Sequence, residues 1–163
     1  MAVRPVITYP HALLKQVAPP AERINKAIKD LAGDLIDTMK AHERCVGLAA
    51  PQIGESQRVI AVNVSGHPKA VASHGLLVIV NPKITASSGS EVGREGCLSL
   101  PAITANVRRA LRITFEGLWL DGSPFRSLAW GFEARALQHE IDHLDGILIL
   151  DKVASPSEIF PRR

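Results

Sequence analysis

The sequence predicts an α+β fold made as a single domain over residues 1–163, with antiparallel strands packed around a helix that carries an H-E-x-x-H motif. Three observations carry this. A stripe of apolar residues recurs at helical spacing near the start, short apolar or alternating runs bounded by turn residues fill the middle, and a second helical stripe lies near the end. At 163 residues with 46% hydrophobic content, the chain is long enough for one sizeable core and too short to suggest two.

From Ala21 to about Glu43, residues Ile24, Ile28, Leu31, Leu35 and Met39 recur every three or four positions, which predicts an amphipathic helix with one buried face. The segment Gly47-Leu48-Ala49-Ala50-Pro51-Gln52-Ile53-Gly54 reads as a loop whose small residues let backbone approach a ligand. Arg58 to Val64 and Leu76 to Val80 read as strands, separated by a polar loop around Gly66 and Pro68. Val107, Leu111, Ile113 and Phe115 alternate with Arg108, Ala110, Arg112, Thr114 and Glu116, predicting one half-buried strand. Asp121-Gly122 then turns a hairpin. A second helix is predicted from about Gly131 to Leu144, with Phe132, Ala136, His139 and His143 on one face and Gly146 marking its end. Ile147 to Leu150 reads as a short buried strand, and Ala154 to Arg163 as a frayed tail.

Composition narrows the function. Nineteen Lys and Arg against sixteen Asp and Glu leave a net charge of +3, with no run of five like charges, so sequence-specific nucleic-acid binding is not expected. A mild basic balance would still ease contact with an anionic partner such as the ribosome. No apolar run approaches the roughly 18 to 20 residues that span a bilayer, so no membrane partner is expected. Met1 to Pro10 lacks the apolar stretch of a secretory signal, and a cytoplasmic location is expected. In that compartment the two cysteines, Cys45 and Cys97, are better read as ligand, nucleophile or core filler than as a disulfide.

The chemistry concentrates in His139-Glu140-Ile141-Asp142-His143. Two imidazoles at i and i+4 on one helix face can hold a metal ion, and Glu140 between them can act as a base on water. A hydrolytic metal needs a third protein ligand. In the longer frame H-E-x-x-H-x-x-G-x-x-H, Gly146 falls into place but the ligand position is Ile149, which binds no metal. Asp145 is too close along the chain, and Glu158 lies in the tail. Upstream, Glu95-Gly96-Cys97-Leu98-Ser99 offers a thiolate beside a glycine, and Cys97 is the expected third ligand in place of a buried structural thiol.

Three segments together, Gly47-Leu48-Ala49-Ala50-Pro51-Gln52, Glu95-Gly96-Cys97-Leu98-Ser99 and Gln138-His139-Glu140-Ile141-Asp142-His143, resemble the three motifs of the peptide deformylases, in the family's order. Tyr9-Pro10, Asn81-Pro82 and Val107-Arg108-Arg109 extend the likeness over nearly the whole chain. The resemblance implies a metal-dependent hydrolase that removes the formyl group from the N-terminal formylmethionine of nascent polypeptides, with Fe(II) as the usual metal and Zn or Ni as substitutes. It implies that Cys97, His139 and His143 are the metal ligands and Glu140 the general base and then acid. Gln52 and the backbone N–H of Leu98 become oxyanion donors, and Gly47 lines the substrate cleft. Val46, Phe132 and Ala136, beside Gly47 and His139, are expected walls of a pocket for the methionine side chain, although core packing accounts for Phe132 equally well. Arg109 falls on the apolar phase of its strand, where a buried arginine wants a carboxylate; Glu95, which the resemblance also implies, is the expected partner, the pair bracing the Cys97 loop, and the alternative is an arginine that snorkels to water. Asp142 is left to orient a histidine or to pair with an arginine.

The sequence departs from the pattern at Cys45, where the family's first motif is expected to begin with Gly. A left-handed backbone there would be costly and would reshape the rim of the cleft. Thr104 and Arg94 stand near the Cys97 motif where relatives differ, so specificity does not carry over. Two rival readings remain: an endopeptidase of the zincin type using Glu158 or another carboxylate as third ligand, and a non-catalytic member binding the ribosome or nascent chain, with the metal structural. Ile149 speaks against the first, and the intact Glu140 against the second.

Overall fold

The computed structural model describes residues 2–153 and 155–162. Its two helices are α1 (Lys26–Lys40) and α2 (Gly131–Leu144), and its strands are β1 (Gly47–Ala49), β2 (Val59–Val62), β3 (Leu77–Ser88), β4 (Glu91–Cys97), β5 (Leu100–Arg109), β6 (Arg112–Leu118), β7 (Pro124–Trp130) and β8 (Ile159–Pro161). Five strands form one antiparallel sheet in the order β1-β2-β3-β6-β7, and β4-β5-β8 form a second. This is the α+β architecture expected.

Strand β2 shows why the layers stack as they do. All four of its residues are buried, and successive side chains point to opposite faces. Val59 and Ala61 pack with Leu31 and Leu35 of α1, whereas Ile60 and Val62 pack with Leu137 and Ile141 of α2. The larger sheet is thus held between the two helices, and burying aliphatic side chains of this size contributes about 1.5–3 kcal/mol each. The other side of α2 meets the smaller sheet through polar side chains, Arg135, His139 and Asp142 against Glu95 and Arg109. A polar layer therefore lies between helix and sheet, and the candidate site is built there.

Helix α1 starts later than its apolar stripe suggests, because the side chain of Asn25 accepts from the backbone N–H of Ile28 at 3.1 Å and caps it there. Ile24 lies ahead of the cap, and Ala21 is tied to Asn81 by two hydrogen bonds of 2.9 Å. The strand expected at Arg58 to Val64 is the shorter β2, and the one expected at Leu76 to Val80 runs on to Ser88 as β3 through shifts in register near Pro82. The small-residue loop contains β1 and a 3₁₀ turn, Ala50–Ile53, closed by the left-handed Gly54. The hairpin at Asp121-Gly122 joins β6 to β7, and α2 has the predicted bounds.

Three expectations are corrected. The single strand over Val107 to Phe115 is two strands in different sheets, β5 ending at Arg109 and β6 beginning at Arg112. The Gln138 side chain bonds both backbone groups of Ala110 at this crossing, and Leu111 is left exposed. Ile147 to Leu150 is not a strand: Leu148 and Ile149 are buried, but the chain forms a 3₁₀ turn over Ile149–Asp151, with Asp151 accepting from the N–H of Leu148. The tail expected to fray instead adds β8 to β5, while Ala154 and Arg163 lie outside the described residues. No helix among the described residues is long and apolar enough to cross a membrane.

Candidate metal centre

Because one helical turn separates His139 from His143, their Nε2 atoms stand 3.3 Å apart on α2. Strand β4 ends by delivering Cys97 to them, with Sγ 3.4 Å from His143 Nε2. Ligand atoms of Cys97, His139 and His143 all lie within 4.8 Å of one another, and all three residues are buried. Glu158 is not among the residues that converge there.

The neighbours prepare these atoms for a cation. Glu95 Oε1 lies 2.8 Å from His139 Nδ1, which directs a proton to Nδ1 and leaves the Nε2 lone pair facing the centre. Glu95 is in turn held by Arg109 through two bonds of 2.9 Å and by Arg135 at 2.6 Å. Burial opposes the charge on Glu95, yet Arg109 and His139 hold its carboxyl well below the usual carboxylate range. Asp142 pairs with Arg109 and not with a histidine. For His143, burial holds the imidazole well below its ordinary value and so neutral, as a metal ligand must be. Its Nδ1 is buried without a hydrogen-bond partner. A thiol and two imidazole nitrogens converging on one point form a donor set that suits a borderline divalent ion, and the residues fit a metal.

Glu140 projects beside this cluster. Burial pushes its carboxyl up to about 7, and its Oε1 is buried without a hydrogen-bond partner. A carboxyl poised near neutrality is suited to accept and return a proton. Space for it is made by Gly47, since a β-carbon there would stand 2.6 Å from Glu140 Oε2 and 2.9 Å from Cγ. Gly47→Ala is therefore expected to displace the carboxylate, lowering turnover on the order of tenfold to a hundredfold with metal content unchanged. Steady-state kinetics beside metal analysis checks this.

The side chain of Gln52, from the 3₁₀ turn after β1, is fixed at both ends. Its Oε1 accepts from the N–H of Ala49 at 3.0 Å, and its Nε2 donates to Ser99 Oγ at 3.1 Å while standing 3.5 Å from Cys97 Sγ. Leu98 sits with Ser99 in the turn between β4 and β5, at the edge of the same cleft. That cleft, of about 480 Å³, is also lined by Val46, Gly47, Phe132 and Ala136. Phe132 stacks on His67 with ring centres 4.3 Å apart, so it serves the cleft wall as well as the core.

Reasoning from sequence missed Ser99, Arg135 and His67. Arg135 had a readable signal: it lies four residues before His139, on the same helical stripe. Cys45 is not in a left-handed conformation; the positive φ of 64° belongs to its neighbour Arg44, so the departure from the motif imposes no such strain at Cys45. Its thiol donates to the carbonyl of Gly47 at 3.3 Å, and burial pushes that thiol up to about 12.

Comparison with known proteins agrees with this geometry. A family model described as polypeptide deformylase matches residues 3–158. Peptide deformylase of Pelotomaculum thermopropionicum is 44% identical over 162 residues, covering 99% of both chains, and that of Dictyoglomus thermophilum is 46% identical over 140 residues, 86% of each. Among solved structures, a peptide deformylase from Legionella pneumophila superposes with a TM-score of 0.86 at 39% identity, covering 96% of this chain and 89% of that one. A class I type b peptide deformylase from Acinetobacter baumannii, bound to Met-Ala-Ser, gives 0.86 at 35% identity over 93% of this chain and all (100%) of that one.

Proposed function

Since the chain belongs to the polypeptide deformylase family, we propose that the cleft over Cys97, His139 and His143 is where it does the family's work. The chain is a peptide deformylase, a hydrolase that releases formate from the N-terminal formylmethionine of nascent polypeptides. The observation that carries the assignment to this cleft is the convergence of one thiol and two imidazoles next to a buried carboxyl whose Oε1 has no hydrogen-bond partner among the described residues.

A divalent ion held by Cys97, His139 and His143 would acidify a water and polarise the formyl carbonyl. Glu140 takes the proton of the attacking water and returns it to the leaving amine of methionine. Nε2 of Gln52 and the backbone N–H of Leu98 donate to the carbonyl oxygen as its charge grows, an interaction made only in the transition state. Val46, Phe132 and Ala136 receive the methionine side chain. Glu95, braced by Arg109, keeps His139 in the tautomer that presents Nε2. Fe(II) is the native ion in this reading, with Zn or Ni as substitutes, the mixed sulfur and nitrogen set being compatible with all three. The net charge of +3 would ease approach to the ribosome, and a cytoplasmic location belongs to the same reading, since the substrates are nascent chains.

Incubating the holoenzyme with formyl-Met-Ala-Ser tests the function. Formate and Met-Ala-Ser are the expected products, with the internal peptide bonds intact. Cleavage between residues, or no formate, contradicts it. Gln52→Ala is expected to lower turnover on the order of a hundredfold with a smaller change in apparent affinity. A change confined to the Michaelis constant would make Gln52 a binding residue.

A further inference from the structure

The two flanks of the cleft differ in kind. On one side stand the apolar walls Val46, Phe132 and Ala136; on the other, Arg94 of β4 and Arg162, which follows β8, bring cations beside Thr104 of β5. Pairing of β8 with β5, extended by the hydrogen bond from the N–H of Arg162 to the carbonyl of Ala102 at 2.9 Å, lays the Arg162 guanidinium directly over Gly96. A β-carbon at position 96, one residue before Cys97, would overlap Arg162 Nη2, so a side chain there would require this exposed arginine to swing aside. Arg94 stands beside it, bonded to Asn106 at 3.1 Å and Thr104 at 3.3 Å, with its guanidinium 3.7 Å over the ring of Phe160. All of these partners are neutral. Arg44 and Lys69 complete the rim, and among the described residues none of the four cations has a carboxylate partner. Arg109 and Arg135, by contrast, are engaged by Glu95.

We propose that Arg162, seconded by Arg94, makes the outer half of this cleft select formylated chains that carry an acidic side chain at the second or third residue. The proposal rests on the deformylase reading. With the methionine side chain in the apolar flank, the residues that follow advance about 3.3 Å each when extended and run along the cationic one. A carboxylate arriving there meets two guanidiniums that make no carboxylate contact among the described residues, Glu43 being an exposed carboxylate in the same lining, in a concave site that concentrates the field.

The test compares kcat/KM for formyl-Met-Ala-Asp, formyl-Met-Ala-Asn and formyl-Met-Ala-Lys, and for the three peptides with the variable residue second, all as C-terminal amides so that no other carboxylate contributes. The aspartate peptides are expected to exceed the asparagine ones by about three- to tenfold at low salt, with lysine lowest, and the ratio should fall toward one at about 0.5 M salt. Arg162→Glu should bring the aspartate-to-asparagine ratio below one, and Arg162→Lys should keep it above one. Arg126→Glu alters the net charge equally but lies on β7 beside Glu116, and it should keep the wild-type ratio. Equal rates for Asp, Asn and Lys peptides in the wild type, or an unchanged ratio in Arg162→Glu, overturn the proposal. Should Arg162→Glu fail to fold, the wild-type salt dependence still decides. Formate from every peptide without preference refutes only this inference, whereas formate from none refutes the function on which it rests.

Discussion

Replacing Glu140 by alanine is expected to lower formate release by at least about 10² to 10⁴ while the chain keeps its metal. The size follows from two proton transfers passing through one carboxyl. Oε1 has no hydrogen-bond partner in the buried site, and Gly47 offers no side chain that could take over the role. Burial, which pushes the group up to about 7, makes it both acceptor and donor near neutral pH. Because Glu140 is not one of the three residues whose ligand atoms converge, metal analysis of the variant should still give one ion per chain. Near-normal turnover in Glu140→Ala would mean that the base lies elsewhere.

Cys97→Ser is expected to fail differently, through loss of the ion. A hydroxyl replaces the thiol with little change in volume, but it does not ionise near neutrality and is a poor ligand for a borderline ion. Removing residues that merely orient a ligand typically costs about 10- to 100-fold in metal affinity, so loss of a ligand itself should exceed about 100-fold. Activity should fall with the metal content. Cys45→Gly is the informative companion, since Cys45 lines the same cleft but burial keeps its thiol protonated and it bonds the carbonyl of Gly47. That variant should retain close to one ion per chain. Full occupancy and full activity in Cys97→Ser would remove Cys97 from the ligand set.

Much of the site was legible because its chemistry follows short spacings. His139 and His143 share a helix face by periodicity alone, and Glu140 travels with them. A charge on the apolar phase of a strand showed that Arg109 needs a carboxylate, the family resemblance pointed to Glu95, and the two bonds of 2.9 Å agree with that pairing. Other features left no local trace. Alternation continues in one phase from Val107 to Phe115, interrupted at Arg109, although the chain changes sheets at Ala110-Leu111, because a period of two reports which face is buried and not which sheet it belongs to. The strand β8 is three residues long and ends on a proline, so composition alone favoured a frayed tail, and only pairing with β5 orders it. Ile147 to Leu150 was read correctly as largely buried and wrongly as extended, since a short apolar run does not distinguish a strand from a tight turn. Ser99 and His67 were missed because their roles depend on residues far away in sequence, Gln52 and Phe132.

Metal-edge X-ray absorption on the holoenzyme, purified without oxygen and compared with Cys97→Ser, bears most directly on the claim that one thiolate and two imidazoles hold the ion. The wild type should show one sulfur and two imidazole nitrogens from the protein around each ion, with iron the metal present, and the sulfur should vanish in any ion that Cys97→Ser retains. A wild-type ion with no sulfur neighbour, or a sulfur that survives in Cys97→Ser, would contradict the account.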